Sequence, residues 1–133
     1  MSEQNVARLR PVLAEWERGD FTAGTDIISP DVVLSAFNAP ERTVVCHGWE
    51  EIRRYLREFL TTWRSYRIEV DRLTPLDDLA VLLEGRQRGV GKGSGVETVD
   101  SLYIVFQFDR DQIVAMHWHV DRDGALEAAG LSE

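Results

Sequence analysis

Apolar residues recur at steps of three and four from Val6 through Leu9 and Leu13 to Trp16, predicting a helix over Val6–Arg18 that Gly19 can terminate. Pro11 falls inside that pattern, so it either kinks the helix or marks its first turn. Phe21–Ser29 is short and mixed, supporting no more than a short helix before Pro30–Asp31 punctuates the chain. Val32–Phe37 and Thr43–Val45 carry β character, with a turn over Asn38–Arg42 between them. Gly48 then opens the strongest helical pattern, in which Ile52, Tyr55, Leu56, Phe59, Leu60 and Trp63 form one apolar stripe. On its charged face Glu50–Arg54 and Arg54–Glu58 stand four apart, a spacing that gives weak surface support. Beyond Trp63 the pattern is β, with strands near 66–75, 79–90, 95–109 and 112–121 separated by turns at Asp77–Asp78, Gly91–Gly95 and Asp109–Asp111. A last helix is expected over about Asp123–Ala129, stopped by Gly130.

Helix, short helix, short strands, long helix and then four antiparallel strands spell an α+β fold, with helices packed on one face of a strongly curved, mostly antiparallel sheet. A sheet half-closed in this way leaves a conical cavity, the kind of place where small ligands bind. The 133 residues fit a single domain over 1–133, and 44% hydrophobic residues suffice for a core. A net charge of −8 repels phosphate backbones, which argues against nucleic acid and anionic membrane as partners. Neither a signal-peptide core nor a run of ~18 apolar residues is present, and the one cysteine, Cys46, has no internal disulfide partner. The expectation is a cytoplasmic protein.

Strand alternation sorts the later segments into faces. Asp100, Leu102, Ile104, Phe106 and Phe108 share one face, on which Asp100 is the exception. Inside a cone its carboxyl could act as a general acid or base; at a wet mouth, or paired with an arginine, it would be structural. Met116, Trp118 and Val120 alternate with His117, His119 and Asp121. His117-x-His119 with Asp121 two further on, and Cys46 or His47 as extra ligands, has a spacing open to metal, but no motif supplies a full ligand set, so no metal or other cofactor is expected. Asp121 and Asp123 precede the last helix, where one serves as N-cap. Trp16, Tyr55, Phe59, Trp63 and Trp118 lie on faces turned toward the cavity and suit an apolar ligand with a flat ring system, although such stripes also serve as plain core. Gln87, between outward-facing Arg86 and Arg88, adds a neutral hydrogen-bonding group. Gly91–Gly95 joins two strands, so it reads as a hairpin turn and not a phosphate loop.

The stretches ERGDF (17–21), SPDVVLS (29–35), HGWEEIRRYL (47–56), GKGSGVE (91–97), VFQFDRDQIVAM (105–116) and DRDGALEAAGL (121–131) together resemble the SnoaL-like branch of the nuclear transport factor two-like superfamily. That resemblance covers nearly the whole chain and implies a cone-shaped α+β barrel, its sheet wrapped around helices. It also implies dimerisation through the outer face of the sheet, toward which the two histidines of the last strand would point. The superfamily contains limonene epoxide hydrolases, ketosteroid isomerases, polyketide cyclases, dehydratases and non-catalytic modules, so fold alone licenses no reaction. The water-activating aspartate of the epoxide hydrolases falls on Trp118, their arginine and second aspartate near Gly85 and Gln87, and their tyrosine and asparagine near Leu34 and Ala36. The two aspartates and the tyrosine of ketosteroid isomerase fall near Ala36, Ile104 and Val12. Neither mechanism has its groups here. The acid/base aspartate of the polyketide cyclases finds Asp121 as its nearest counterpart.

The expected function is binding of a small, largely apolar molecule, with Gln87, Leu102, Tyr55, Phe59, Trp16, Trp63 and Trp118 as lining and Asp100 or Asp121 as catalytic candidates. Without a cofactor motif, the chemistry open to one carboxylate is proton transfer: isomerisation, cyclisation or dehydration. The alternative is a non-catalytic dimeric module whose own aromatic side chains fill the cone.

Overall fold

The computed structural model describes residues 2–38 and 42–131. Helix α1 (Ser2–Glu17) precedes strands β1 (Ile28–Asn38) and β2 (Arg42–His47), helix α2 (Trp49–Thr61), strands β3 (Trp63–Asp77), β4 (Ala80–Gly91), β5 (Glu97–Asp109) and β6 (Gln112–His119), and helix α3 (Arg122–Ala128). The strands form one sheet in the order β2-β1-β6-β5-β4-β3, antiparallel except where β1 runs parallel to β6. This is the α+β architecture expected from the element order, with α1 and α2 on the concave face. No described helix is long and apolar enough to cross a membrane.

Several local expectations are corrected. Helix α1 starts at Ser2 and continues through Pro11, which is exposed, as is Ala7, so water can solvate the carbonyl that the missing N–H leaves free. Phe21–Ile27 forms turns in place of a short helix, anchored by the Trp16 indole N–H donating to the Ala23 carbonyl at 3.2 Å. Strand β1 already begins at Ile28 and absorbs Pro30 where its register with β6 shifts between Ile28 and Val33, an irregular stretch that needs no N–H from Pro30. Trp63 opens β3 instead of closing α2, and the helix ion pair is Glu50–Arg53 at 4.0 Å in place of the expected four-residue spacings. The turn placed at Asn38–Arg42 falls on residues 39–41, outside the described residues.

The main core gathers Leu9, Leu13 and Trp16 of α1 and Ile52 of α2 against Ile68, Leu83, Leu102, Ile104, Phe106 and Met116 of the sheet. Each such side chain contributes about 1.5–3 kcal/mol on burial. A smaller cluster lies on the opposite face, where Ala125 and Leu126 of α3 cover Ala80, Leu82 and Val105. Glycine sets how closely β3 can wrap the cone, because a Cβ on Gly89 would lie 2.5 Å from the Trp63 ring. Gly89→Ala is therefore expected to expel the indole and destabilise by about 1–3 kcal/mol in urea denaturation, with a changed near-ultraviolet dichroism signal. Gly93→Ala, with nothing within 4 Å of the added methyl, should leave both unchanged.

On the convex face, His117 links three elements. The Gln107 amide donates to the Ala129 carbonyl at 3.1 Å, so its oxygen faces His117 Nε2 at 2.8 Å and takes that ring's N–H. Nδ1 then accepts from the Ser35 hydroxyl at 2.7 Å. The ring is thus held neutral, and burial, with the neighbouring His119 second, keeps its pKa below the ordinary 6.5. The unfolded chain takes up this proton first, so stability is complete above pH ~7 and falls as acidification passes 6.5 toward the lower folded value. Urea midpoints measured between pH ~7.5 and ~5 should decline, and His117→Gln should flatten the decline; an unchanged slope would remove His117 as its cause.

Candidate functional site

The concave face of the sheet and helices α1 and α2 enclose an open cavity of about 210 Å³. Its floor is Trp16 and Phe21, whose rings lie 6.0 Å apart, and Trp118 stacks on Trp16 at the same spacing. Strand alternation brings Met116, Trp118 and Val120 of β6 and its extension to one wall, with Leu34 and Ala36 of β1 beside them. The apolar stripe of α2 supplies Ile52, Tyr55, Leu56, Phe59 and Leu60, joined by Trp49. Trp63 and Tyr66 come from β3, Gln87 and Gly89 from β4, and Thr98, Asp100 and Leu102 from β5.

Polar groups concentrate along the β4–β5 ladder. Gln87 and Asp100 are direct cross-strand partners, which puts their Cβ atoms about 5 Å apart on the same face. The Tyr66 hydroxyl donates to Gln87 Oε1 at 2.6 Å. Its ring is wedged among Phe59 at 4.9 Å in an edge-on contact, Phe21 at 5.7 Å and Trp63 at 5.9 Å. Burial, then the neighbouring Tyr55 and Asp100, push the Tyr66 phenol well above its ordinary pKa, so it stays protonated and must donate. Asp100 is solvent-exposed and sits at the mouth of the cavity, the one carboxylate among the described lining residues. The indole nitrogens of Trp63 and Trp118 are buried without a hydrogen-bond partner.

The structure thus brings together Trp16, Tyr55, Phe59, Trp63, Gln87, Asp100, Leu102 and Trp118 on one cavity. Asp121 lies apart from it: its carboxylate accepts the Gly124 N–H at 2.5 Å and caps α3, the capping role weighed for it from the sequence. Of the two histidines expected on the outer face, His117 is held there by Ser35 and Gln107, while His119 also borders the cavity. Among the described residues no cluster of three or more His, Cys, Asp or Glu is placed to hold a metal. Arg86 and Arg88 face outward, as expected, and pair with Glu69, Asp71 and Glu97. Sequence reasoning missed Phe21, Trp49, Thr98 and Tyr66. Tyr66 carried a usable signal, since it shares the period-two face of Ile68 and Val70.

Solved structures of similar shape share this fold. A nuclear transport factor two-like protein of unknown function from Burkholderia pseudomallei K96243 has a TM-score of 0.76 at 19% identity, covering 96% of this chain and 95% of its own. A protein from Jannaschia sp. CCS1 assigned as a SnoaL-like polyketide cyclase has a TM-score of 0.74 at 16% identity, covering 98% and 92%. TerC, co-crystallised with polyporic acid, has a TM-score of 0.73 at 14% identity, covering 96% of each chain. No curated protein matches the sequence. The profile of the SnoaL-like domain matches residues 9–124, most of the chain, with all six strands, α2 and the second half of α1. The chain belongs to the SnoaL-like domain family.

Proposed function

We propose that this protein binds a small, largely apolar molecule in its cone and acts on it by cofactor-independent proton transfer: isomerisation, cyclisation or dehydration. The observation that carries this reading is the open cavity, about 210 Å³, with aromatic walls and one carboxylate at its mouth. Flat rings in the walls favour a flat ligand, which can stack on Trp16, Trp118 or Phe59. The unpartnered indole N–H groups of Trp63 and Trp118 favour a ligand with acceptor atoms over a hydrocarbon. TerC, similar in fold and crystallised with polyporic acid, and the Jannaschia protein assigned as a polyketide cyclase lend support by analogy. Asp100 serves as the proton acceptor or donor, within reach of ligand and solvent, while Asp121 is spent as a helix cap.

The second reading is a non-catalytic binding module of the same fold. The exposure of Asp100 supports it, since a carboxylate in water lacks the desolvation that tunes a buried acid or base. In either case we propose that two copies pair through the convex sheet face, where Val45 and Val99 stand 51% and 43% exposed.

Thermal-shift screening of planar aromatic compounds is expected to find ligands that raise Tm by roughly 10 °C at a hundred times Kd, because they bind only the native state. With a substrate so identified, Asp100→Asn should abolish turnover and leave the unliganded Tm unchanged. Full activity in that variant would remove Asp100 from the mechanism, and binding without turnover in the native protein would establish the second reading.

A further inference from the structure

Resting on the small-molecule reading above, we infer that Tyr66 is a positioning residue that turns the Gln87 amide so the cone mouth presents a donor beside an acceptor. The mouth then selects ligands whose flat apolar body ends in a neighbouring acceptor and donor, as in an aromatic primary carboxamide. A glutamine amide can ordinarily rotate to offer either its oxygen or its NH2. Here three aromatic contacts fix the Tyr66 ring and hence the position of its hydroxyl. Its proton goes to Gln87 Oε1 at 2.6 Å, which occupies the amide's acceptor end. The NH2 end remains for the cavity that Gln87 lines. Asp100, the direct ladder partner of Gln87, supplies a carboxylate on the same face. A carboxamide carbonyl would accept from Gln87 Nε2 while its N–H donates to Asp100.

The test uses two probes of like shape, 2-naphthamide and 2-isopropenylnaphthalene, the second lacking both hydrogen-bonding groups. Equilibrium dialysis gives Kd for each on the native protein, Tyr66→Phe, Gln87→Met and the double variant. The quantity read is the preference for the amide, Kd of the hydrocarbon divided by Kd of the amide, whose change from one variant to another cancels the difference in hydrophobicity between probes. Gln87→Met should lower that preference about tenfold, the worth of one net hydrogen bond, and Tyr66→Phe should lower it severalfold. In the double variant Tyr66→Phe should add nothing to Gln87→Met, because Tyr66 acts only through the amide. A purely structural Tyr66 would weaken both probes equally and leave the preference unchanged, which would overturn the inference while the cone reading stands. If Tyr66→Phe fails to fold, an unchanged preference in Gln87→Met overturns it instead. Binding of neither probe to the native protein would overturn the cone reading and this inference with it.

Discussion

The placement of Trp16 decides where the core ends and the cavity begins. The side chain is 3% exposed and lies about 6 Å from the rings of Phe21, Phe106 and Trp118. Its indole N–H holds the Ala23 carbonyl, so one residue of α1 packs the sheet and orders the turn that leads into β1. Below it Leu9, Leu13 and Phe106 are sealed; above it the walls diverge. A buried aromatic of this size dominates local packing, and a smaller residue there would let the cavity extend into the core.

The sheet keeps two chemistries apart by alternation alone. Its concave face is apolar from Ile68 to Phe108, with Gln87 and Asp100 as polar members where the cone opens. Its convex face carries Glu69, Arg86, Arg88 and Glu97 in ion pairs at 2.8–3.3 Å, which at their exposure contribute little stability. Further along the same face Ser35, His117 and Gln107 form a partly buried chain of hydrogen bonds reaching the end of α3. That chain ties the terminal helix to the middle of the sheet, so α3 is a brace on the outside of the cone and not a lid across it.

Most of the architecture was legible in the chain because its long segments keep one period. The stripe of α2, the four long strands and the stop at Gly130 follow from local patterning. The inward row from Asp100 to Phe108 was likewise readable, and with it the aromatic lining. Readings failed where a packing or strand-pairing contact overrides local preference. Phe21–Ile27 has some helical character but is drawn into turns by Trp16, and Trp63 continues the α2 stripe yet pairs with Gly91 as the first residue of β3. Asp121, by contrast, reads from the sequence more readily as a helix cap than as a catalytic residue, and its oxygen lies 2.5 Å from the Gly124 N–H at the start of α3.

By itself the sequence determined most of the elements, their faces and an acidic composition with no chemistry-specific motif, since these depend on residue type and near neighbours. Only the tertiary structure decided that the aromatic rows leave space instead of filling it, that Asp100 stands at the mouth, and that Tyr66 meets Gln87. Those outcomes depend on strand register, on the bulges in β3 and on the close approach of Trp63 to Gly89. Each is a distance between segments far apart in the chain, and local patterning carries no information about such distances.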